Sequence, residues 1–182
     1  QQLAAMVEDD TERSSMILAH ATWDSSDHPY IYHWLMLASE VNGFAEAISH
    51  RLESTPNDVM TLRIQQDQAA PSEKEAVLQR HRELAAQHPD DPNWQYISIR
   101  SMPVGDEQDA AFLDGLEKWP TNVWFNYAAG SIYSRRADWE KALSCFNLPV
   151  QQRGGLLEGA ANQSSRIRRL VAEDDHPDLK EL

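Results

Sequence analysis

Seven histidines, one cysteine and 29 carboxylates are the groups from which this 182-residue chain would have to build a metal centre or an active site. His28 and His33 stand five apart across Pro29, with Asp24 and Asp27 upstream, and His81 and His88 stand seven apart on one expected helix. Zinc takes its ligands from one helical face or from tight Cys/His knuckles, and neither spacing supplies such a set. His88 directly precedes Pro89, where capping or packing is the simpler role. Cys145, beside Phe146, reads as a small buried hydrophobe, and as the only cysteine it excludes an internal disulfide. A nucleophile needs an adjacent base and a shaped oxyanion site. The sequence holds no Gly-x-Ser-x-Gly, no Cys–His signature and no glycine-rich phosphate loop. The expectation is a non-enzyme with no catalytic residues, no metal and no cofactor.

Charge narrows the partners. Sixteen Lys and Arg against 29 Asp and Glu give a net charge of -13. Nucleic acid is a poor partner for such a chain, because its binding leans on phosphate neutralisation by Lys and Arg. The small basic clusters (Arg80 and Arg82; Arg135 and Arg136; Arg166, Arg168 and Arg169) are expected as solvated faces or as partners for the abundant carboxylates. No window approaches the ~18 consecutive apolar residues of a membrane helix, and the mean hydropathy of -0.60 fits a soluble domain without membrane insertion. The chain starts Gln1-Gln2 without Met, as expected of a processed mature form or a domain excised from a larger or exported protein. The compartment is unassigned.

The elements that must position any site are marked by proline. Pro29, Pro56, Pro89, Pro120 and Pro149 fall 27, 33, 31 and 29 residues apart. Each removes an amide donor and pushes its predecessor out of helical geometry, so each predicts a helix boundary. Gly43, Pro71, the Pro103-Val104-Gly105 run and the Arg135–Asp138 turn break the chain again about half a period on. The result is a helix-turn-helix repeat, four times over. The expected helices span 29–41 and 44–54, 57–69 and 72–87, then one opened by Asp91-Pro92 and one over 106–118. Ser72 and Glu75 form a capping box, and Asp91 before Pro92 an N-cap with Pro at the first helical position. Trp94, Ile97 and Ser101 form an inner stripe, and 106–118 is expected to bury Ala110, Phe112, Leu113 and Leu116. The 57–69 helix is the least apolar, with Gln65-Gln66-Asp67-Gln68 in a row.

The clearest unit runs from Pro120 to Pro149. Trp124, Tyr127, Ala128 and Ser131 share one helical face, and Trp139, Ala142, Leu143 and Phe146 share another, with Asp138 as N-cap between them. Gly130-x2-Tyr133 followed by Ala142-x3-Phe146 resembles the tetratricopeptide consensus, and Gly43-Phe44-Ala45-Glu46-Ala47 is a second echo. The chain departs from that consensus at Asn126, Ala129 and Gly154, which stand where Trp, Leu and Pro are usual. The resemblance implies an all-α fold: a right-handed α-α superhelix of about four helix-turn-helix repeats with capping helices at both ends. The expected divisions are an N-terminal helical segment (1–23), four hairpins (28–150), a capping helix (151–174) and an acidic tail (175–182).

The resemblance also implies where a ligand would bind. In tetratricopeptide-like proteins the first helix of each repeat lines a concave groove. Positions four, seven and eleven after the boundary prolines should face it: Met60, Arg63 and Asp67; Asn93, Tyr96 and Arg100; Trp124, Tyr127 and Ser131. Of these, Arg63, Asn93, Tyr96, Arg100, Trp124, Tyr127 and Ser131 suit a peptide, the rings supplying area while Asn and Arg take backbone or carboxylate groups. The alternative is that these side chains simply pack between hairpins. The Lys/Asn pattern of repeats that clamp chaperone C-termini is not present. The implied function is a non-enzymatic module binding a protein or peptide partner. The alternatives are a structural domain that self-associates through its repeat ends and a helical enzyme or metal-binding domain.

Overall fold

A computed structural model of the chain describes residues 10–21, 37, 44–151 and 155–173. Among these residues every regular element is an α-helix: α1 (Asp10–Ala21), α2 (Phe44–Ser54), α3 (Val59–Gln68), α4 (Lys74–Gln87), α5 (Pro92–Arg100), α6 (Asp106–Lys118), α7 (Val123–Arg135), α8 (Trp139–Gln151) and α9 (Gly155–Glu173). The all-helical expectation is met. The predicted 29–41 helix, apart from Leu37, and the segment before Asp10 lie outside the described residues, as do the tail beyond Glu173 and the Gly43 break.

Helix starts follow the prolines. Two residues after Pro56, Pro89 and Pro120 stand Asp58, Asp91 and Asn122, each in extended backbone conformation and each accepting from an amide of the first turn of α3, α5 or α7. These side chains satisfy amides that a helix leaves without partners. Asp138 does the same for α8 through the Lys141 amide. Proline therefore ends one helix and the cap two residues later begins the next.

Three local expectations change. Ser72 and Glu75 form no capping box. Ala70 to Glu73 close a turn, α4 begins at Lys74, and Glu75 pairs with Arg82 at 2.5 Å instead. In α6 Phe112 is buried and Leu113 and Leu116 pack partly buried against the core, as expected, but Ala110 is exposed and Gln108 and Gly115 join the buried face instead. Pro149 does not end its helix, since α8 runs on to Gln151. A proline in a last turn forfeits a single bond to the preceding turn, which a helix end tolerates better than its middle.

Each helix packs on its neighbour in the chain, and α3, α5, α7 and α9 also pack on one another in succession. One buried cluster extends from Ile17 through Leu62, Ile97 and Phe125 to Ile132, and a second joins α8 to α9 through Leu143, Phe146, Ile167 and Val171. Tyr127 touches both. Two glycines permit the tightest approaches. A Cβ at Gly115 would lie 2.0 Å from the Phe125 ring, and one at Gly130 would lie 2.8 Å from the ring of Phe146. Cys145 is buried, and desolvation, with the Asp138 charge, raises its thiol pKa and keeps it protonated.

Candidate functional site

The helices α5 and α7 lie side by side with α3, and what they present between them follows from residues one or two turns apart. Tyr96 and Arg100 point from α5, Tyr127 and Ser131 from α7, and all four line a cavity of about 550 Å³. Gln66 and Asp67 of α3 and Lys74 of α4 close one side, and Gln108, Asp109 and Phe112 of α6 close another. A second cavity of about 320 Å³ continues toward α9, lined by Trp139, Gln163, Arg166, Ile167 and Leu170. Ser131 and Arg135 line both, so the two are neighbours.

The floor is a fully used polar network. The amide nitrogen of Gln66, only 1% exposed, has three acceptors within reach, the Ile97 carbonyl (3.1 Å), Ser101 Oγ (3.0 Å) and His81 Nδ1 (3.1 Å), and shares its two protons among them. Its Oε1 accepts from Arg100 at 2.7 Å. Because Gln66 presents N–H to Nδ1, that nitrogen accepts, and Nε2–H of His81 donates to Gln65 Oε1 at 2.9 Å. Burial, and after it the Arg80 charge, lowers the His81 pKa from 6.5 to about 4, so the ring is neutral at physiological pH. Arg100 also grips both oxygens of Asp67, at 2.8 and 3.0 Å. A row of glutamines that reads as a poor helix is thus the seat of the site. Buried amides have to be paired, and here Gln66 is.

At the cavity edge Asp109 holds Arg135 at 2.6 Å and Arg136 at 3.7 Å, tying the start of α6 to the end of α7. Ser131 donates to its own helix, at the Tyr127 carbonyl. Gln108 closes the end of α5 by donating to the Ile99 and Met102 carbonyls, both at 3.2 Å.

The residues expected from sequence divide into three groups. Tyr96, Arg100, Tyr127 and Ser131 line the cavity, as does Asp67. Arg63 lies over Trp124 (5.0 Å) and Tyr127 (5.6 Å), a stacked cation covering aromatic faces. Asn93 and Trp124 line neither cavity. Asn93 links helix starts, donating to the Asn57 carbonyl (3.2 Å) and accepting from Asn122 (3.4 Å). Trp124 is 8% exposed and Tyr96 3%, with Tyr96 meeting Phe112, Trp124 and Phe125 at 5.4 to 5.8 Å. Met60 is buried too. Tyr96 is thus both a wall of the cavity and part of the core, and Trp124 belongs to the core alone, so neither is a projecting anchor. Sequence reasoning missed Gln66, Gln108, Asp109 and Arg135. The alternation of polar and apolar positions does not separate a buried, satisfied glutamine from a solvated one.

His88 fills both roles expected of it. It caps the end of α4, and its ring stacks on Trp94 at 6.2 Å. Among the described residues no group of three or more His, Cys, Asp or Glu side chains is placed to hold a metal ion, and no helix is long and apolar enough to cross a membrane. No protein-family model, curated protein sequence or solved structure matches this chain.

Proposed function

We propose that the chain is a non-enzymatic interaction module of tetratricopeptide-like helical hairpins, and that it binds an extended peptide segment of a partner protein along α3, α5, α7 and α9. The observation that carries the reading is the meeting of Tyr96, Arg100, Tyr127 and Ser131, singled out by their offsets from the prolines, on one cavity of about 550 Å³. The contact pattern supports it. Alternate helices touch in succession while each also packs on its chain neighbour, which is the arrangement that stacked hairpins require. The adjoining cavity of about 320 Å³ shares Ser131 and Arg135 with the first and adds residues of α9, enlarging the surface open to an extended ligand. The lining mixes rings and aliphatic groups with amides and guanidinium forks, the means by which side-chain area and peptide carbonyls are recognised together.

The test is selection of a random displayed peptide library on the protein, repeated on Ser131→Trp, which places an indole where the two cavities adjoin. Selected peptides should lose at least about tenfold in affinity for the variant while its helical spectrum is unchanged. Peptides that bind both forms equally would remove the groove from consideration.

A further inference from the structure

The two adjoining cavities carry a charge opposite to that of the chain. Overall the chain stands at -13, yet the ionised side chains lining the cavities are Lys74, Arg100, Arg135 and Arg166 against Asp67 and Asp109. Both of those carboxylates are already engaged. Asp67 is held through both oxygens by Arg100, and Asp109 is shared by Arg135 and Arg136. Among the described residues the remaining two cations have no carboxylate partner. Lys74 donates to the Gln66 carbonyl, and among the described residues no acid stands within ion-pair distance of Arg166. Lys74 belongs to the first cavity and Arg166 to the second, with Arg135 common to both.

A ligand cation entering here would find every lining carboxylate taken and would have to displace an arginine to reach one. A ligand carboxylate would find Lys74 in one cavity, Arg166 in the other and Arg135 on the lining of both. Concave walls of low dielectric focus such a field, so a small excess of charge counts for more there than on an open face. Leu78, Phe112 and Ile132 line the first cavity along with these cations, and Ile167 and Leu170 line the second. Leu170, 37% exposed, is one of two large apolar side chains described as exposed, and it lines this surface.

We infer that the partner segment is acidic, with apolar side chains interspersed among its carboxylates, and that Lys74, Arg135 and Arg166 select it. The inference rests on the groove reading above and narrows it to one ligand class. The net negative charge of the rest of the chain repels the same ligand elsewhere, so attraction is confined to this surface and weakens as salt screens it.

The probes are three fluorescein-labelled peptides of matched length, about fifteen residues, enough to span both cavities: one of Glu and Leu, one of Ser and Leu, one of Lys and Leu. Anisotropy should show the Glu/Leu peptide bound at least about tenfold more tightly than the Ser/Leu one, with the advantage shrinking between about 50 and about 300 mM NaCl. The Lys74→Glu/Arg166→Glu double variant removes neither of the two ion pairs that line the cavities. It should abolish that advantage and raise the affinity of the Lys/Leu peptide, with its helical spectrum unchanged. Equal binding of the Glu/Leu and Ser/Leu peptides overturns the inference, as does Glu/Leu binding undiminished in the double variant. If all three peptides bind alike but are lost on Ser131→Trp, the charge inference falls and the groove stands. If none binds, and peptides selected from the library ignore Ser131→Trp, both fall.

Discussion

The α3–α5 region and the α7–α8 pair are held together by opposite means. Around α3 the contacts that fix geometry are buried hydrogen bonds. Arg51 reaches Asp58 (2.9 Å) and Thr61 (3.0 Å), Thr61 reaches Asp58 (2.5 Å), and Gln66 joins Ile97, Ser101, His81 and Arg100. Between α7 and α8 the geometry is fixed by absence of volume: Gly130 admits the Phe146 ring, and Ala142 and Leu143 are buried to 1% exposure or less. A polar network specifies register by the cost of leaving any member unpaired. A close apolar contact specifies it by the cost of overlap and of voids. The two halves should therefore fail differently.

The largest effect should come from breaking the buried ion pair. Asp58→Ala takes the carboxylate away from the Arg51 guanidinium, 2% exposed, and also removes the cap of α3. Loss of a partner from a buried pair typically costs about 3–5 kcal/mol. Chemical denaturation should show a loss of that size, and a cost near that of an exposed pair would mean the network does not define the region.

Next comes pH. The unfolded chain protonates His81 near its ordinary 6.5, whereas the folded chain resists until about 4. Stability due to this group is full above pH 6.5, declines as pH falls through that window and is level below about 4. The total is about 3 kcal/mol at ~1.4 kcal/mol per unit. Compared with His81→Gln, the wild-type protein should lose stability more steeply over that interval. Parallel curves would contradict a neutral, hydrogen-bonded His81.

In the α7–α8 pair the effects are steric. Gly130→Ala puts a methyl group 2.8 Å from the Phe146 ring and should cost about 1–3 kcal/mol. Phe146→Leu in the same chain should recover part of that cost, because the two positions share one space. Ala142→Leu, at a position with no exposed surface, should cost a similar ~1–3 kcal/mol. Additive costs for Gly130 and Phe146 would mean that the glycine is not there for the ring.

The smallest effect lies in the connecting turn. Ala137 is held at φ 56, where a Cβ crowds its own carbonyl at a cost of about 1 kcal/mol. Ala137→Gly should raise the denaturation midpoint slightly, the gain being offset in part by the greater freedom of glycine in the unfolded chain.

How much was legible follows from the same contrast. The α7–α8 pair could be read because small and large apolar residues at fixed offsets, such as Gly130, Ala142 and Phe146, carry their packing in their spacing. The starts of α3, α5 and α7 could be read from the prolines, although the caps Asp58 and Asn122 went unrecognised beside Asp91. The α3 network could not be read, since Gln66 is surrounded in sequence by other polar residues and its partners lie 15 to 35 residues away. The site was half visible. Offsets from proline found Tyr96, Arg100, Tyr127 and Ser131, but helix ends are where such counting drifts, and Asp109 and Arg135 enter from the opposite ends of α6 and α7.

An amide-resolved NMR titration with a library-selected peptide tests the proposed groove most directly. The largest shifts are predicted in three stretches, Tyr96 to Ser101, Tyr127 to Arg135 and Gln163 to Leu170, with α4 and α6 changing only where they face the cavities. Shifts confined to the outward faces of α4 and α6, with those three stretches unmoved, would contradict it.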